Sequence, residues 1–215
     1  METTDNKIDK PLLRGHSHQA AFFFAFGVCV MLIAKTTDRT TFVAALIYSL
    51  SLISLFGISA LYHRPNWKPK QRMWMRRLDH AAIYVLIAGT STPICLLALA
   101  PETGVKLLQL VWGAALFGIF QSLVWVTGPK WVSSVLYIIA GCLVIPFMKE
   151  LQAALSQTQI QLIISGGIAY MVGAVIYALK KPNPFPKVFG YHEIFHLLVI
   201  VGATLHFIAV SGVFK

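Results

Sequence analysis

Residues 191–196 read YHEIFH, which sets His192 and His196 four residues apart with Glu193 between them. On a helix that spacing puts both imidazoles on one face. As a string it is H-E-x-x-H, in which two histidines hold zinc beside a carboxylate base. Two further polar groupings interrupt apolar sequence: GISALYH carries Ser59 and His63, again four apart, and RRLDHAAIY carries Asp79 and His80. The imidazoles of His63, His192 and His196 form a nitrogen donor set that prefers zinc over calcium or magnesium. Three such ligands leave a fourth tetrahedral position for water. A cation there brings the pKa of water toward about 7 and polarises a carbonyl. In that chemistry Asp79 is the candidate general base, and Ser59, one turn below His63, steadies the water or a developing oxyanion.

Every one of these assignments has a plain structural competitor. A histidine pair at a helix end also serves as polar packing. Asp79 suits the N-cap of a helix, and a serine inside a membrane helix often bonds back to a carbonyl of its own helix. What separates the readings is where the elements carrying these residues lie.

Of the 215 residues, 57% are hydrophobic and only 12% charged, with mean hydropathy +0.70. Soluble domains carry about 25% charged residues. The apolar blocks are each near the ~20 residues that a helix needs to cross the hydrocarbon. The expected fold is therefore all-α, a polytopic bundle of seven transmembrane helices. A membrane barrel would show ~10-residue alternating segments, which are missing here. The expected spans are about 17–34, 41–61, 80–100, 105–127, 131–148, 159–179 and 191–213, after a polar leader over residues 1–16. The first block reads as an anchor helix and not as a cleavable signal, because no small-residue cleavage site follows it. Between the spans lie breakers such as RPNWKPKQRMWMRR and KKPNPFPKVFG; the latter has three prolines in five residues, which no helix interior accepts.

The three cysteines, Cys29, Cys95 and Cys142, sit singly inside apolar blocks, so neither a disulfide framework nor a thiolate metal site is expected. The formal charge of +10 could suggest nucleic acid, but the basic residues are read as falling in short loops. There they speak to the anionic membrane surface and to topology. With the N-terminus inside, thirteen Lys and Arg face the cytoplasm and five face out. The positive-inside rule thus favours a cytoplasmic N-terminus and an external C-terminus in the cell membrane. In that orientation span 2 ends on the cytoplasmic side, and spans 3 and 7 begin there. Charge counting and polar-residue mapping are independent, yet both bring His63, Asp79, His192 and His196 to one membrane face. Ionisable groups at such depth are costly and mark functional sites.

The remaining histidines are peripheral in this reading. His80 points about 100° away from Asp79 around the helix and reads as supporting or interfacial. His206 lies ten residues beyond His196, about 15 Å deeper at 1.5 Å per residue, and reads as a buried polar contact. His16 and His18 open span 1 on the same side, where either could approach the site. The AGTSTP stretch is expected to bend span 3 at Pro93, with Thr90, Ser91 and Thr92 bonding carbonyls near the break.

The segments SALYH, LDHAAIYVLIAGTSTP and HEIFHLLVIVGATLHF resemble the hemolysin III branch of the progestin and adipoQ receptor superfamily, over essentially the whole chain. The resemblance implies a seven-helix fold with a cytoplasmic N-terminus and a zinc ion held by three histidines, which map onto His63, His192 and His196. It places the family's aspartate, which reaches the metal through water, at Asp79, and its helix-2 serine at Ser59. It also implies metal-dependent, ceramidase-like hydrolysis, or a role in membrane-lipid homeostasis. One departure stands in the leader. The family's E-x-x-N-x-x-x-H, aligned on His18, has Pro11 and Arg14 at its Glu and Asn positions.

Four functions follow from these residues. The first is a zinc hydrolase of a lipid amide or ester at the cytoplasmic leaflet, with membrane lipids as partners. The second is a non-catalytic regulator or receptor stapled by zinc. The third, a pore-forming haemolysin, calls for an export signal and a soluble precursor. The fourth, an intramembrane protease, calls for an aspartate in a later helix, and no Asp follows Asp79.

Overall fold

A computed structural model describes residues 10–214 of the chain. Residues 1–9 of the leader, with Lys7, and the C-terminal Lys215 lie outside the described residues, so two charges of the topology comparison have no structural account. Eight α-helices follow in order: α1 His16–Ala34, α2 Arg39–His63, α3 Pro69–Leu97, α4 Pro101–Val124, α5 Lys130–Cys142, α6 Met148–Ala154, α7 Gln157–Leu179 and α8 Tyr191–Ser211. Among the described residues seven segments are long and apolar enough to cross a membrane, with Lys130–Ala154 forming the fifth crossing. The molecule is a seven-helix membrane bundle.

Local chemistry sets the helix starts. Asp38 accepts hydrogen bonds from the backbone N–H groups of Thr40 and Thr41 at 2.8 and 3.1 Å, capping α2. Ser156 and Gln159 form the reciprocal pair at the start of α7, with bonds of 3.2 and 2.9 Å. Pro69 and Pro101 open α3 and α4, where a missing N–H costs nothing. The fifth crossing is broken by its own proline. Pro146 cannot donate to the carbonyl of Cys142 and its ring clashes there, so α5 stops at Cys142 and a 3-10 turn over Ile145–Phe147 leads into α6.

Helix α3 begins eleven residues earlier than the sequence suggested. The basic run around Arg72, Arg76 and Arg77 is helical and not part of a loop, because Pro69 and the Lys68–Gln71 cap start the helix well before the apolar stretch. This corrects the expectation that the basic residues are confined to loops.

The apolar outer surface includes Phe23, Phe24, Leu116, Phe117 and Phe120, all exposed, as suits a face toward lipid. Sequential neighbours pack most extensively, α1 with α2, α2 with α3, α3 with α4 and α7 with α8, while α1 also meets α8 to close the bundle. Helix α3 is the hub. It touches α2, α4, α5 and α8, and 56% of its apolar window is buried, more than in any other crossing. Thr92 donates to the Ala88 carbonyl at 2.8 Å and Ser91 to that of Ile87 at 3.2 Å, just before the internal Pro93. Gly89 lets α3 close on α2: a Cβ there would stand 2.1 Å from Ser51 Oγ and 2.6 Å from Ser51 Cβ. Since Ser51 Cβ is fixed by the α2 backbone, no rotamer relieves that clash. Gly89→Ala should therefore lower stability in detergent by about 1–3 kcal/mol, read as a fall in Tm, and adding Ser51→Gly should restore most of it.

Candidate metal centre

His63 is the last residue of α2, and His192 and His196 occupy the first turns of α8. Although 129 residues apart in sequence, His63 Nε2 and His192 Nε2 are separated by 3.2 Å. With His196 they form a buried group of three imidazoles whose ligand nitrogens lie within 4.8 Å of one another. Two nitrogens at zinc's usual ~2.0–2.1 Å, set at a tetrahedral angle, stand about 3.3 Å apart, so the observed separation fits such an edge. His196 is 2% exposed, and its Nδ1 is buried with no hydrogen-bond partner. Three buried imidazoles at this separation are a donor set that a metal ion can use. The three histidines fit a single tetrahedral metal.

Asp79 lies on α3 with its Oδ2 4.0 Å from His63 Nε2, the same nitrogen that faces His192. That is too long for a hydrogen bond. Ser59, one turn down α2 from His63, lies close to Asp79. All five sequence-nominated residues are thus at one end of the bundle, where the end of α2 meets the starts of α3 and α8. Asp79 is ten residues inside α3, so it is not the N-cap that the sequence left open.

Glu193 has a different task. Its Oε2 accepts from the Gly190 backbone N–H at 2.8 Å, capping α8. Its other oxygen pairs with Arg14 Nε. The Glu of H-E-x-x-H is therefore occupied by the helix terminus and the leader.

The leader supplies what the sequence left unassigned. Leu12 and Leu13 donate to the carbonyls of Lys187 and Val188 at 3.0 and 3.2 Å, tying the leader to the loop before α8. Gly15 then turns the chain at φ +80°, a left-handed conformation that glycine adopts freely. A Cβ on Gly15 would stand 2.8 Å from the Cβ of His63, so the backbone passes directly against that ligand. His18 is brought onto His196, with rings stacked at 3.8 Å and 7°, and its Nε2 lies 3.3 Å from the His196 carbonyl. His16 turns outward to Arg64. Lys10 Nζ donates to the Pro65 carbonyl at 2.8 Å and the His63 carbonyl at 3.3 Å, placing a cation on the C-terminus of α2. Burial first, then the charges of Arg72 and Arg14, lower the Lys10 pKa from the usual lysine value. Lys10 and Arg14 of the leader and Arg72 of α3 are therefore close to one another at this end of the bundle.

Two cavities matter here, of which only the first is lined by ligand residues. A polar one of about 220 Å³ is lined by His63, His192, Asp79 and His80, together with basic side chains. An apolar one of about 300 Å³ runs deeper, past Leu55, Ile87, Ile94, Leu107 and Val199. His80, which lines the first, hydrogen bonds through Nδ1 to the hydroxyl of Tyr137, which lines the second, at 3.1 Å. His206 also borders the apolar cavity; its Nε2 donates to the Ile163 carbonyl at 3.0 Å, far from the three-histidine group.

Comparison with known proteins bears on the family of the chain. The family model described as "Haemolysin-III related" matches residues 6–207. "Hemolysin-3" of Bacillus cereus is 36% identical over 177 residues, covering 82% of this chain and 78% of that protein. "Hemolysin-3 homolog" of Bacillus subtilis (strain 168) is 38% identical over 164 residues, 76% of this chain and 74% of the relative. A more distant relative, human "Monocyte to macrophage differentiation factor", is 25% identical over 178 residues, 78% of this chain and 69% of its own length. With the match spanning nearly every helix, the chain belongs to the haemolysin-III related family of membrane proteins.

Proposed function

We propose that this protein is a zinc-dependent hydrolase of an amide or ester bond in a membrane lipid, working at the cytoplasmic leaflet of the cell membrane. The observation that carries this reading is the carboxylate of Asp79, 4.0 Å from a nitrogen of the buried three-histidine group and on a third helix. A metal that only stapled helices together would be served by a fourth direct ligand. Here the fourth contributor, Asp79, stands 4.0 Å from a ligand nitrogen, beyond hydrogen-bond reach. When bound, zinc supplies a Lewis acid that makes water nucleophilic at neutral pH and polarises a carbonyl.

The chain's own residues then have separable tasks. His63, His192 and His196 hold the metal through neutral imidazole nitrogens. Asp79 takes the proton of the attacking water on its carboxyl and returns it to the leaving amine or alcohol. Ser59 orients that carboxyl by its hydroxyl. The apolar cavity accepts an acyl chain, and the His80–Tyr137 pair stands between chain and headgroup compartments. Glu193, already bonded to Gly190 and Arg14, takes no part.

The experiment is hydrolysis of short-chain lipid amides and esters by protein in nanodiscs, with metal content measured on the same samples. Asp79→Asn should lose 10²-fold or more in rate, the usual worth of a general base, while keeping its metal. Glu193→Gln should stay within a few-fold of wild type. Full activity in Asp79→Asn would contradict the reading, and loss of activity with metal retained in Glu193→Gln would move the base to Glu193.

Orientation is a second expected outcome. With thirteen basic residues on one side against five on the other, the metal end faces the cytoplasm. Alkaline phosphatase fused after residue 214 should be active in intact bacteria, and fused at residue 184 inactive. The opposite pattern would invert the bundle.

A further inference from the structure

The polar cavity over the histidines is lined by Arg14, Arg72, Arg76 and Lys130. Arg14 is neutralised by Glu193. Among the described residues none of the other three pairs with a carboxylate. Against Asp79, the one acidic lining residue, they leave the cavity net positive by two, before any metal is counted. Partly enclosed cations without counter-charges are costly. Arg72 and Arg76 make this sharper, because like charges four residues apart on a helix repel.

Nor are these cations free surface groups. Lys130 Nζ donates to the Tyr191 hydroxyl at 3.1 Å and lies 4.3 Å from the centre of the Tyr177 ring. Tyr177 in turn meets His192 edge to face at 5.4 Å. The lysine is thus held at the wall it shares with a metal ligand. On α3 the residues Arg72, Arg76 and Asp79 follow at helical spacing on one face, so guanidinium groups and the carboxylate beside the centre line the same wall. A basic run that served topology alone would need no cavity, no aromatic clamp and no shared face with Asp79.

We infer that this cavity is a cradle for a phosphate-type oxyanion, and that the molecule acted on carries one: a lipid with an anionic, phosphate-bearing headgroup whose chain occupies the apolar cavity. Arginine pairs suit phosphate oxygens bidentately, and lysine adds a point charge. A phosphomonoester carries about −1.5 to −2 at neutral pH, opposite in sign to this excess. The inference rests on the proposed hydrolase for its place in a reaction, but binding can be tested without turnover.

Full-length protein in phosphatidylcholine nanodiscs is titrated calorimetrically with decyl phosphate, with decanol and with inorganic phosphate, each against empty nanodiscs. Decyl phosphate should bind at least tenfold more tightly than decanol. The double variant Arg72→Gln/Arg76→Gln should lose that preference, and Lys130→Gln, which leaves α3 untouched, should weaken it several-fold. Displacement of decyl phosphate by inorganic phosphate would assign the cradle to the free anion, and failure to displace it to the lipid headgroup. Equal binding of decyl phosphate and decanol, or an unchanged preference in both variants, would overturn the inference. A wild type that keeps the preference but hydrolyses nothing counts against the hydrolase alone, and one that hydrolyses lipids without the preference counts against the cradle alone.

Discussion

Two imidazole nitrogens 3.2 Å apart, on helices 129 residues separated in sequence and both buried, set a condition that the rest of the bundle must meet. His63 and His192 meet through their Nε2 atoms, while the Nδ1 of His196 is buried with no hydrogen-bond partner. A cation held by all three would offset the cost of burying them together. The cost of burying three polar rings becomes a reason for α2 and α8 to meet at their ends.

Helix α3 connects this centre to the rest of the molecule. Its early start at Pro69 carries Arg72 and Arg76 above the histidines, and its next turn brings Asp79 beside them. Further down, Ile87 and Ile94 line the apolar cavity, while Gly89 lets the helix lie flush against α2. One element thus supplies cations, a carboxylate and an apolar wall in the order in which an amphiphile would meet them from the membrane surface inward. The leader covers the same end, tied by Arg14 to Glu193 and by Lys10 to the end of α2. The departure from the family's leader pattern at Arg14 is therefore joined to the Glu of H-E-x-x-H. The two features, each ambiguous in sequence, account for one another.

Much of this was legible without coordinates because membrane sequences speak plainly about span and cost. Charged residues are so few that His63, Asp79, His192 and His196 stood out, and seven apolar blocks put them at one end. The stacking of His18 on His196 was not legible, since His16 and His18 occupy equivalent places at the start of span 1 and only the turn at Gly15 decides which ring enters. The role of Glu193 was hidden too, because a capping residue and a catalytic one share a string. The basic run before span 3 was read as loop, since hydropathy marks where a helix enters lipid and not where it begins. Pro69 carried the missing signal.

The central claim is that His63, His192 and His196 together hold one metal, and the most direct measurement is metal content by plasma mass spectrometry on protein purified without chelator. We expect about one zinc per chain in the wild type, and its loss in both His63→Ala and His196→Ala, which lie on different helices. No metal in the wild type, or zinc retained at full content in either variant, would contradict the account.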